Sequence, residues 1–418
     1  MNTRFSKDWQ YYKFCLYGFL KNQRFFEPFF FFFFLRDKGL SFTEIGTLYS
    51  IRFILRSLLE IPSGVIADTL GRKGTMLFSY AFYMVSFVLY FLADSFSILI
   101  IPTLCFAVGD AFRTGTHKAM IFEYLRRKGW QDQKVSYYGH TRSWSQTGSA
   151  ISSLIAAGLI LAFNNYNIIF LLSLLPYSLG FILLASYPSW LNGTEQQRSK
   201  HFMKELLEVS RSSVSSFSKI SNIRLTLNIS SFSGYYLAAK DYLQVLLTAA
   251  VLSIPLFHNL NPDNIENETV LIGLIYFVLY FLNAVAARSS GKFHKLFKSN
   301  AAFLNFFLLM GVIFAMGAGL MNQFQLHTAA IMLFIGILFI ENLRRPAGIA
   351  AVADNFDDKI LASVLSVESQ LSSILGAILS LIIGFLADRI GAGYALVIAS
   401  GILLLLYPMI RLKSQIRW

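Results

Sequence analysis

Charged residues are scarce in this chain of 418 residues, and their scarcity is the first indication of its class. Asp, Glu, Lys and Arg make up only 14% of the sequence, whereas hydrophobic residues make up 55%. A soluble domain carries about 25% charged residues. The composition therefore predicts a protein whose solvent is the lipid bilayer.

Cysteine and nucleotide-binding motifs are also lacking. The two cysteines, Cys15 and Cys105, both lie inside apolar segments, which argues against a disulfide framework and a cysteine-based zinc site. No G-x-x-x-x-G-K-[ST] phosphate loop occurs, which argues against a built-in ATP motor. We therefore expect no metal, no cofactor and no catalytic residue.

Basic residues exceed acidic ones and give a formal net charge of +13 at pH 7. One soluble basic domain with this charge would suggest nucleic acid, but here Lys and Arg are scattered over short hydrophilic connections. We expect no nucleic-acid partner. The 41 phenylalanines, with an unbroken run at 29–34, are interpreted as lipid-facing or packing surface.

Apolar stretches long enough to cross the hydrocarbon core, which takes about 20 residues, recur along the whole chain. They predict an all-α membrane protein of about twelve transmembrane helices. The predicted spans are 14–35, 42–66, 74–93, 96–122, 138–163, 167–187, 225–256, 269–287, 300–320, 327–345, 361–387 and 393–410.

One connection is much longer than the others. Residues 191–221 are polar, basic and rich in serine, and they lie halfway along the chain. We interpret them as a cytoplasmic linker between two six-helix halves, 1–190 and 222–418. The first apolar stretch lacks a cleavage signal and is too long for a signal peptide, so we expect it to be retained as the first span.

The distribution of Lys and Arg predicts the orientation. Basic residues concentrate in the connections on the side of both termini, including the pairs 72–73 and 344–345, whereas the opposite connections hold only Arg36, Lys38 and Arg389. Cytoplasmic loops carry the excess of Lys and Arg. The chain is therefore expected to cross the inner (plasma) membrane many times with both termini in the cytoplasm.

A motif follows the second span. Residues 64–73, GVIADTLGRK, resemble the G-x-L-A-D-x-x-G-R-K signature of major facilitator transporters. The resemblance implies a gating motif, formed by Gly64, Asp68, Gly71, Arg72 and Lys73. A weaker echo, GFLADRIG at 384–391, closes the eleventh span.

The two halves also resemble each other. Arg113 precedes Glu123 by the same spacing with which Arg344 precedes Asp354, and Ser-Gln pairs recur at 145–146 and 369–370. Parallel repeats of this kind are typical of the major facilitator fold. The resemblance implies two pseudo-symmetric six-helix halves and a secondary transporter, which we expect to be a monomer in the lipid bilayer.

Ionisable residues inside the predicted spans are the candidates for a solute and proton path, because a charge facing lipid costs a few kcal/mol. In the first span Arg24 and Glu27 are three residues apart and are expected to pair on one helix face. In the fourth span Asp110, Arg113 and His117 form one stripe, and His117 titrates near neutral pH. The substrate and coupling candidates are Arg24, Glu27, Asp110, Arg113, His117, Lys118, Arg142, Lys240, Asp241 and Glu368.

Glu368 is the preferred proton carrier of the C-terminal half, because its sequence neighbours are apolar or small and include no base. For several candidates a structural role competes with the functional one. Arg24 and Glu27 would also fit a self-neutralised pair, and His117 a hydrogen-bonded structural residue.

The sequence favours a secondary transporter that moves a small solute by alternating access. Protons are the expected coupling ion, and the excess of basic residues in the spans favours an anionic solute such as an organic acid or a phosphorylated metabolite. The alternative within transport is a drug/proton antiporter for amphipathic compounds, which the aromatic content favours. An integral membrane enzyme using His117 and Glu123, or a sensor that does not transport, is the alternative of another class.

The predicted orientation is directly testable. Reporter fusions at Lys200 and at Asn264 should report opposite sides of the membrane, because an odd number of predicted spans separates them. A fusion at Lys413 is the control and should agree with Lys200. The same side for Lys200 and Asn264 would contradict the topology.

Overall fold

The computed structural model describes residues 7–114, 116–130, 134–192, 220–246, 265–294, 296–356 and 358–413. Most of these residues are helical, and the described ranges contain no β-strand. The helices are α1 Trp9–Lys21, α2 Phe42–Leu70, α3 Arg72–Leu92, α4 Phe96–Arg113, α5 Thr116–Lys128, α6 Lys134–Phe163, α7 Ile168–Ala185, α8 Ile220–Ala239, α9 Ile265–His294, α10 Asn300–Gln323, α11 His327–Asn355, α12 Asp358–Ile390 and α13 Ala392–Ile410.

Most of the predicted spans are confirmed as helices. In the described part of the chain, nine helices are long and apolar enough to cross a membrane, and each of them lies over one predicted span. The second predicted span is also one helix, α2. Arg52, Arg56 and Glu60 add charge to its sequence.

The predicted first span, 14–35, is not one helix. α1 ends at Lys21, a 3-10 turn follows at Glu27–Phe29, and two further short helical turns complete the segment. Pro28 lies in the 3-10 turn and has no N–H with which to continue an α-helical ladder. The prediction of a continuous helix was therefore wrong here.

Two other predicted spans differ in their extent. The fourth, 96–122, is divided between α4 and α5, and Thr114 between them has an extended ψ of 128°. The seventh, 225–256, starts earlier as α8 and passes into a 3-10 turn at Lys240–Tyr242. Residues 247–264 lie outside the described residues, as does most of the predicted linker, 193–219.

The chain divides into two compact units. The first comprises Met1–Phe33, Leu58–Ser199 and Thr269–Phe281, and the second comprises Phe34–Ser57, Lys200–Glu268 and Leu282–Trp418. Within the first unit, α3 packs against α4 and α7, and α1 packs against α6 and α7. Within the second, α10 packs against α11 and α13, and α8 packs against α12 and α13. The same packing pattern thus occurs in both units, as pseudo-symmetric repeats require.

The phenylalanine tract is packing surface. All six side chains of the run 29–34 are buried. In the first unit, Phe26 stacks on Phe170 of α7 with ring centroids 5.1 Å apart, and Phe30 meets the edge of Tyr90 of α3 at 5.4 Å. Of the two roles predicted for the tract, the structure assigns it packing within the protein.

In the second unit, the start of α2 is joined to the end of α12. The carboxylate of Asp388 accepts from the backbone N–H groups of Phe42 and Thr43, both at 2.8 Å. The first N–H groups of a helix lack intrahelical partners, and the helix dipole favours a negative charge there. Asp388 therefore caps α2, which accounts for the acidic residue in the GFLADRIG echo.

Small residues bring the two helices close together. A Cβ added at Gly384 of α12 would lie 2.5 Å from the carbonyl oxygen of Phe42. Two turns further along α2, the Ser50 hydroxyl donates to the carbonyl of Ala377 at 2.7 Å. The joint thus combines a charged cap with close backbone packing.

This packing predicts the effect of one added methyl group. Gly384→Ala should lower the free energy of unfolding by about 1–3 kcal/mol, as overpacking usually does, and should lower the melting temperature of the purified protein. Gly401→Ala in α13 is the matched control, because nothing lies within 4 Å of the added Cβ; alanine there should be neutral or should gain up to ~1 kcal/mol from its helix propensity. Equal melting temperatures for the two variants would contradict the close approach.

Candidate functional site

A cavity of about 220 Å³ lies in the first unit, between α1, α5 and α6 and beside the end of α4. Four lysine and arginine side chains and one histidine line it, and none of the described lining residues is acidic. The cavity is therefore positively charged. Its lining residues are Phe14, Tyr17, Gly18, Lys21, Asn22, Arg113, His117, Lys118, Ile121, Thr141, Arg142, Ser145 and Gln146.

The contact between α1 and α6 positions Lys21 at this cavity. The amide of Asn22 donates to the carbonyl of Ser145 at 2.5 Å, and the amide of Gln23 donates to the carbonyl of Gly148 at 3.0 Å. A side chain at Gly148 would collide with the backbone of Phe19, because an added Cβ would lie 2.7 Å from its carbonyl oxygen. Side-chain amides thus bind the C-terminal end of α1 to the backbone of α6.

Arg113 belongs both to the cavity and to a buried ionic cluster beside it. Its Nη2 lies 3.5 Å from Oδ1 of Asp110, and its Nε donates to the Tyr83 hydroxyl at 2.9 Å. That hydroxyl donates in turn to Asp110 at 2.5 Å. Asp110 is 2% exposed. One carboxylate and one phenol therefore hold the guanidinium that faces the cavity.

Arg24 is the second cation of this cluster. Its Nη2 lies 3.5 Å from Oδ1 of Asp110, and its Nε donates to the Tyr177 hydroxyl at 2.6 Å. Because α1 ends at Lys21 and a 3-10 turn begins at Glu27, Arg24 and Glu27 do not share the predicted helix face. Neither residue is among those that line the cavity. Two arginines thus share the Asp110 carboxylate, and Glu27 is a further carboxylate that acts electrostatically on Arg24.

His117 lines the cavity, but it is not on the same helix as Asp110 and Arg113. The break after Arg113 places it in α5. Its ring stacks on Tyr17 with centroids 3.7 Å apart, and Nε2 lies 3.2 Å from the Tyr187 hydroxyl. Lys118 and Arg142, also predicted from the sequence, line the cavity as well and are exposed.

The gating motif is described from Gly71 onward. Gly71 caps α3 with φ 100°, a backbone conformation that favours glycine. Arg72 donates to the carbonyl of Ala119 at 3.4 Å, and Lys73 donates to that of Tyr187 at 2.9 Å. The two basic residues thus bind to the backbone of neighbouring segments. The environments of Gly64 and Asp68 lie outside the described residues.

The three candidate residues of the second unit lie at two separate positions. Lys240 and Asp241 form an ion pair at 3.3 Å in the 3-10 turn after α8. Glu368 of α12 accepts from both terminal nitrogens of Arg345 of α11, at 2.7 and 3.0 Å. The sequence around Glu368 contains no base, but the fold supplies one from another helix.

Several residues around Asp110 and around Glu368 are not among the candidates predicted from the sequence. Arg344 and Arg345 end the predicted span 327–345 and were counted with the cytoplasmic connection that follows it. Both lie inside α11, and Arg344 is only 1% exposed. The only sequence signal for Lys21 is that it is a basic residue inside a predicted span. The phenols of Tyr83 and Tyr177 carry no sequence signal, because a tyrosine in a transmembrane segment needs no partner to be explained.

Comparison with known proteins identifies the family. The sequence profile of the Major Facilitator Superfamily matches residues 22–369. The chain belongs to the Major Facilitator Superfamily. The resemblance read from the gating motif is thereby confirmed, and so is the expected architecture of about twelve transmembrane helices in two pseudo-symmetric halves.

The relatives of this chain are distant. It is 27% identical over 154 residues to an uncharacterized MFS-type transporter, YxaM, of Bacillus subtilis (strain 168), and the alignment covers 37% of each chain. It is 29% identical over 126 residues to a sucrose permease of Escherichia coli, covering 28% of this chain and 29% of the permease. The alignments thus span about a third of the length of these relatives.

Solved transporters share the fold over nearly the whole chain. A mutant of the nucleoside transporter NupG matches with a TM-score of 0.77 at 12% identity, covering 96% of this chain and 98% of NupG. A D-xylose-proton symporter matches with a TM-score of 0.71 at 13% identity, covering 98% of both chains. At such identities the likeness shows the fold alone.

The ionic cluster predicts how two buried tyrosines differ. Tyr83→Phe should lower the free energy of unfolding by about 1.5–3 kcal/mol, because its hydroxyl bonds to a carboxylate and a guanidinium. Tyr235→Phe is the matched control: that hydroxyl is equally buried but bonds at 2.9 Å to the neutral hydroxyl of Ser400, and its loss should cost about 0.5–1.5 kcal/mol. The melting temperatures of the purified variants measure the difference, and a smaller loss for Tyr83→Phe would contradict the proposed network.

Proposed function

We propose that this protein is a secondary transporter that moves a small anionic solute across the membrane by alternating access, coupled to protons. The observation that carries the proposal is the charge of the first-unit cavity. Lys21, Arg113, Lys118 and Arg142 line it without an acidic lining residue among those described. A solute with negative charge would compensate these cations.

Arg113 is the proposed centre of the solute site. Its planar guanidinium can hold a carboxylate or a phosphate through two parallel hydrogen bonds. Only a 3.5 Å contact joins its Nη2 to Asp110, whereas charge-assisted hydrogen bonds are usually 2.7–2.9 Å long. An incoming anion would therefore compete with Asp110 for this side chain. Protonation of Asp110 would release Arg113, which is one way for proton uptake to favour anion binding.

The proposed oligomeric state, membrane and topology are those expected from the sequence. The transporter is proposed to act as a monomer in the inner (plasma) membrane with both termini in the cytoplasm. The D-xylose-proton symporter with the same fold is proton-coupled by its name, which supports protons as the coupling ion. The residues of the first unit proposed to take part in coupling are Asp110 and His117.

A drug/proton antiporter is the second candidate. The observation that favours it is the aromatic part of the cavity, where Phe14 and Tyr17 line the wall beside His117. Amphipathic cations would stack on such rings. The four basic side chains of the same cavity would repel those cations, and for this reason we prefer an anionic solute.

A binding screen separates the two candidates. The melting temperature of the purified protein should rise with small organic acids or phosphate esters, because a ligand that binds the folded state stabilises it. Neutral analogues of the same size are the control and should give smaller shifts. Shifts with amphipathic cations and none with anions would replace the proposal by the drug antiporter, and flux in proteoliposomes would then test movement of each hit.

Substitution of Arg113 tests the solute site. With an anionic hit from the screen as the probe, Arg113→Lys should reduce flux at least tenfold while the protein still folds, because the charge remains but the bidentate geometry is lost. Arg411→Lys is the matched control, since that arginine is exposed and does not line the cavity. Arg113→Ala should also lose flux. Near-normal transport by Arg113→Lys, together with a lowered melting temperature of Arg113→Ala, would show that Arg113 only neutralises Asp110.

A further inference from the structure

The second unit contains a buried carboxylate oxygen with no hydrogen-bond partner. It is Oε2 of Glu341, and no other carboxylate oxygen of the described residues is buried in this way. Glu341 lies in α11 and is 7% exposed. Its other oxygen, Oε1, accepts from the hydroxyl of Ser233 in α8 at 2.6 Å. Burial of an ionised carboxylate with an unused lone pair is costly, so this environment favours the protonated, neutral form of Glu341.

Glu368 is the other buried glutamate of this network, and unlike Glu341 it has hydrogen-bond partners on both carboxylate oxygens. Both of its oxygens accept from Arg345, and Oε1 accepts in addition from the Ser372 hydroxyl at 2.9 Å. A proton on Glu368 would remove the negative charge that pairs with this guanidinium. Such bidentate pairs favour the ionised acid, so Glu368 is suited to be a fixed counter-ion of Arg345.

The charged groups near Glu341 come from its own helix, α11, and from α12, one of the helices that pack against it. Arg344 and Arg345 lie on its own helix and Glu368 on α12. The sequence of α10 has no ionisable residue, and α8 contributes the neutral Ser233. With all four groups ionised this network has no net charge, and one added proton gives it a charge of one.

Neither arginine completes the coordination of Glu341. Arg344 donates through Nη2 to the backbone and side-chain oxygens of Asn228 at 2.7 and 2.5 Å, and through Nε to the carbonyl of Leu304 at 3.3 Å. Arg345 reaches Glu341 only through Ser233, to whose hydroxyl it donates at 3.0 Å. Both guanidinium groups are therefore committed to other acceptors.

We infer that Glu341 is the residue of the second unit that takes up and releases a proton, and that Ser233 positions it. In the ionised state the Ser233 hydroxyl donates to Oε1 while it accepts from Arg345. In the protonated state a hydrogen on Oε1 is donated to Ser233, so the 2.6 Å contact is kept with its direction reversed, and the uncharged Oε2 tolerates the lack of a partner. The proton comes from a hydronium ion of the aqueous phase: one O–H bond of that ion breaks as the O–H bond on Oε1 forms, a water molecule is left, and no other covalent bond changes.

This inference rests on the proton coupling proposed above and gives it a residue other than Glu368. It is tested by infrared difference spectroscopy of the purified, lipid-reconstituted protein during a pH titration, with the proton as the only ligand. The wild type should show the carbonyl-stretch band of a buried protonated carboxyl group that appears as the pH falls. Glu341→Gln should lose this band, and Glu368→Gln, the matched control in the same network, should retain it.

Two further variants keep the test decisive. Glu341→Asp retains a carboxyl group, so the band should persist with a shifted frequency and midpoint even if Glu341→Gln does not fold. Ser233→Ala should shift the midpoint of the same band, because it removes the hydrogen bond that Ser233 donates to Oε1. A band that survives unchanged in Glu341→Asp or in a folded Glu341→Gln, or that is lost only in Glu368→Gln, overturns the inference, and so does a wild type without any titrating carboxyl band.

Failure of the proposed function would look different. If flux of an identified solute in proteoliposomes did not respond to an imposed proton gradient, proton-coupled transport would be refuted whatever the infrared band shows. If flux did respond and the band were independent of Glu341, the coupling would stand and the assignment to Glu341 would fall.

Discussion

Removing a charged group from water costs several kcal/mol even inside a protein, and this cost determines how the charged residues in the interior of this protein are arranged. In the first unit the single carboxylate of Asp110 is approached by two arginines and by the hydroxyl of Tyr83. In the second, Glu368 is paired with Arg345. Tyrosine and serine hydroxyls complete both clusters, because they supply donors and acceptors without adding charge.

The two units meet this constraint differently. The first lines its cavity with four basic side chains and no described acidic one, and such a surplus of positive charge is tolerated where water or a solute has access. The second has balanced numbers of arginine and glutamate side chains in its buried network. A surplus suits the binding of a charged solute, whereas a balanced network responds to the gain of a single proton. The proposed division of labour between an anion site and a proton site follows from this difference.

The sequence predicted local features well and long-range partners poorly. Runs of apolar residues located most of the helices, because an apolar run depends only on residues that are neighbours in the sequence. Arg113 and Asp110 are in contact because a spacing of three residues places them on one helix face. The breaks after Lys21 and Arg113 were missed, since the polar residues that follow each of them were interpreted as parts of continuous spans.

Pairings between helices could not be read from the sequence. Arg345 reaches Glu368 from a different helix, and Ser233 reaches Glu341 from a third. Their distances depend on how α8, α11 and α12 pack, and a single sequence carries no such information. The premise that Glu368 has no base nearby failed for this reason, and the unpartnered oxygen of Glu341 became visible only in three dimensions.

The joint between α2 and α12 restricts the ways in which these helices can move. Asp388 takes two consecutive backbone N–H groups at once, so a shift of α2 by a single residue along α12 would leave one of them without its acceptor. The close fit of Phe42 against Gly384 blocks the same displacement sterically. Shear along the helix axes is therefore unfavourable at this end, whereas a small rotation about the contact keeps both hydrogen bonds. The joint has the mechanical character of a pivot.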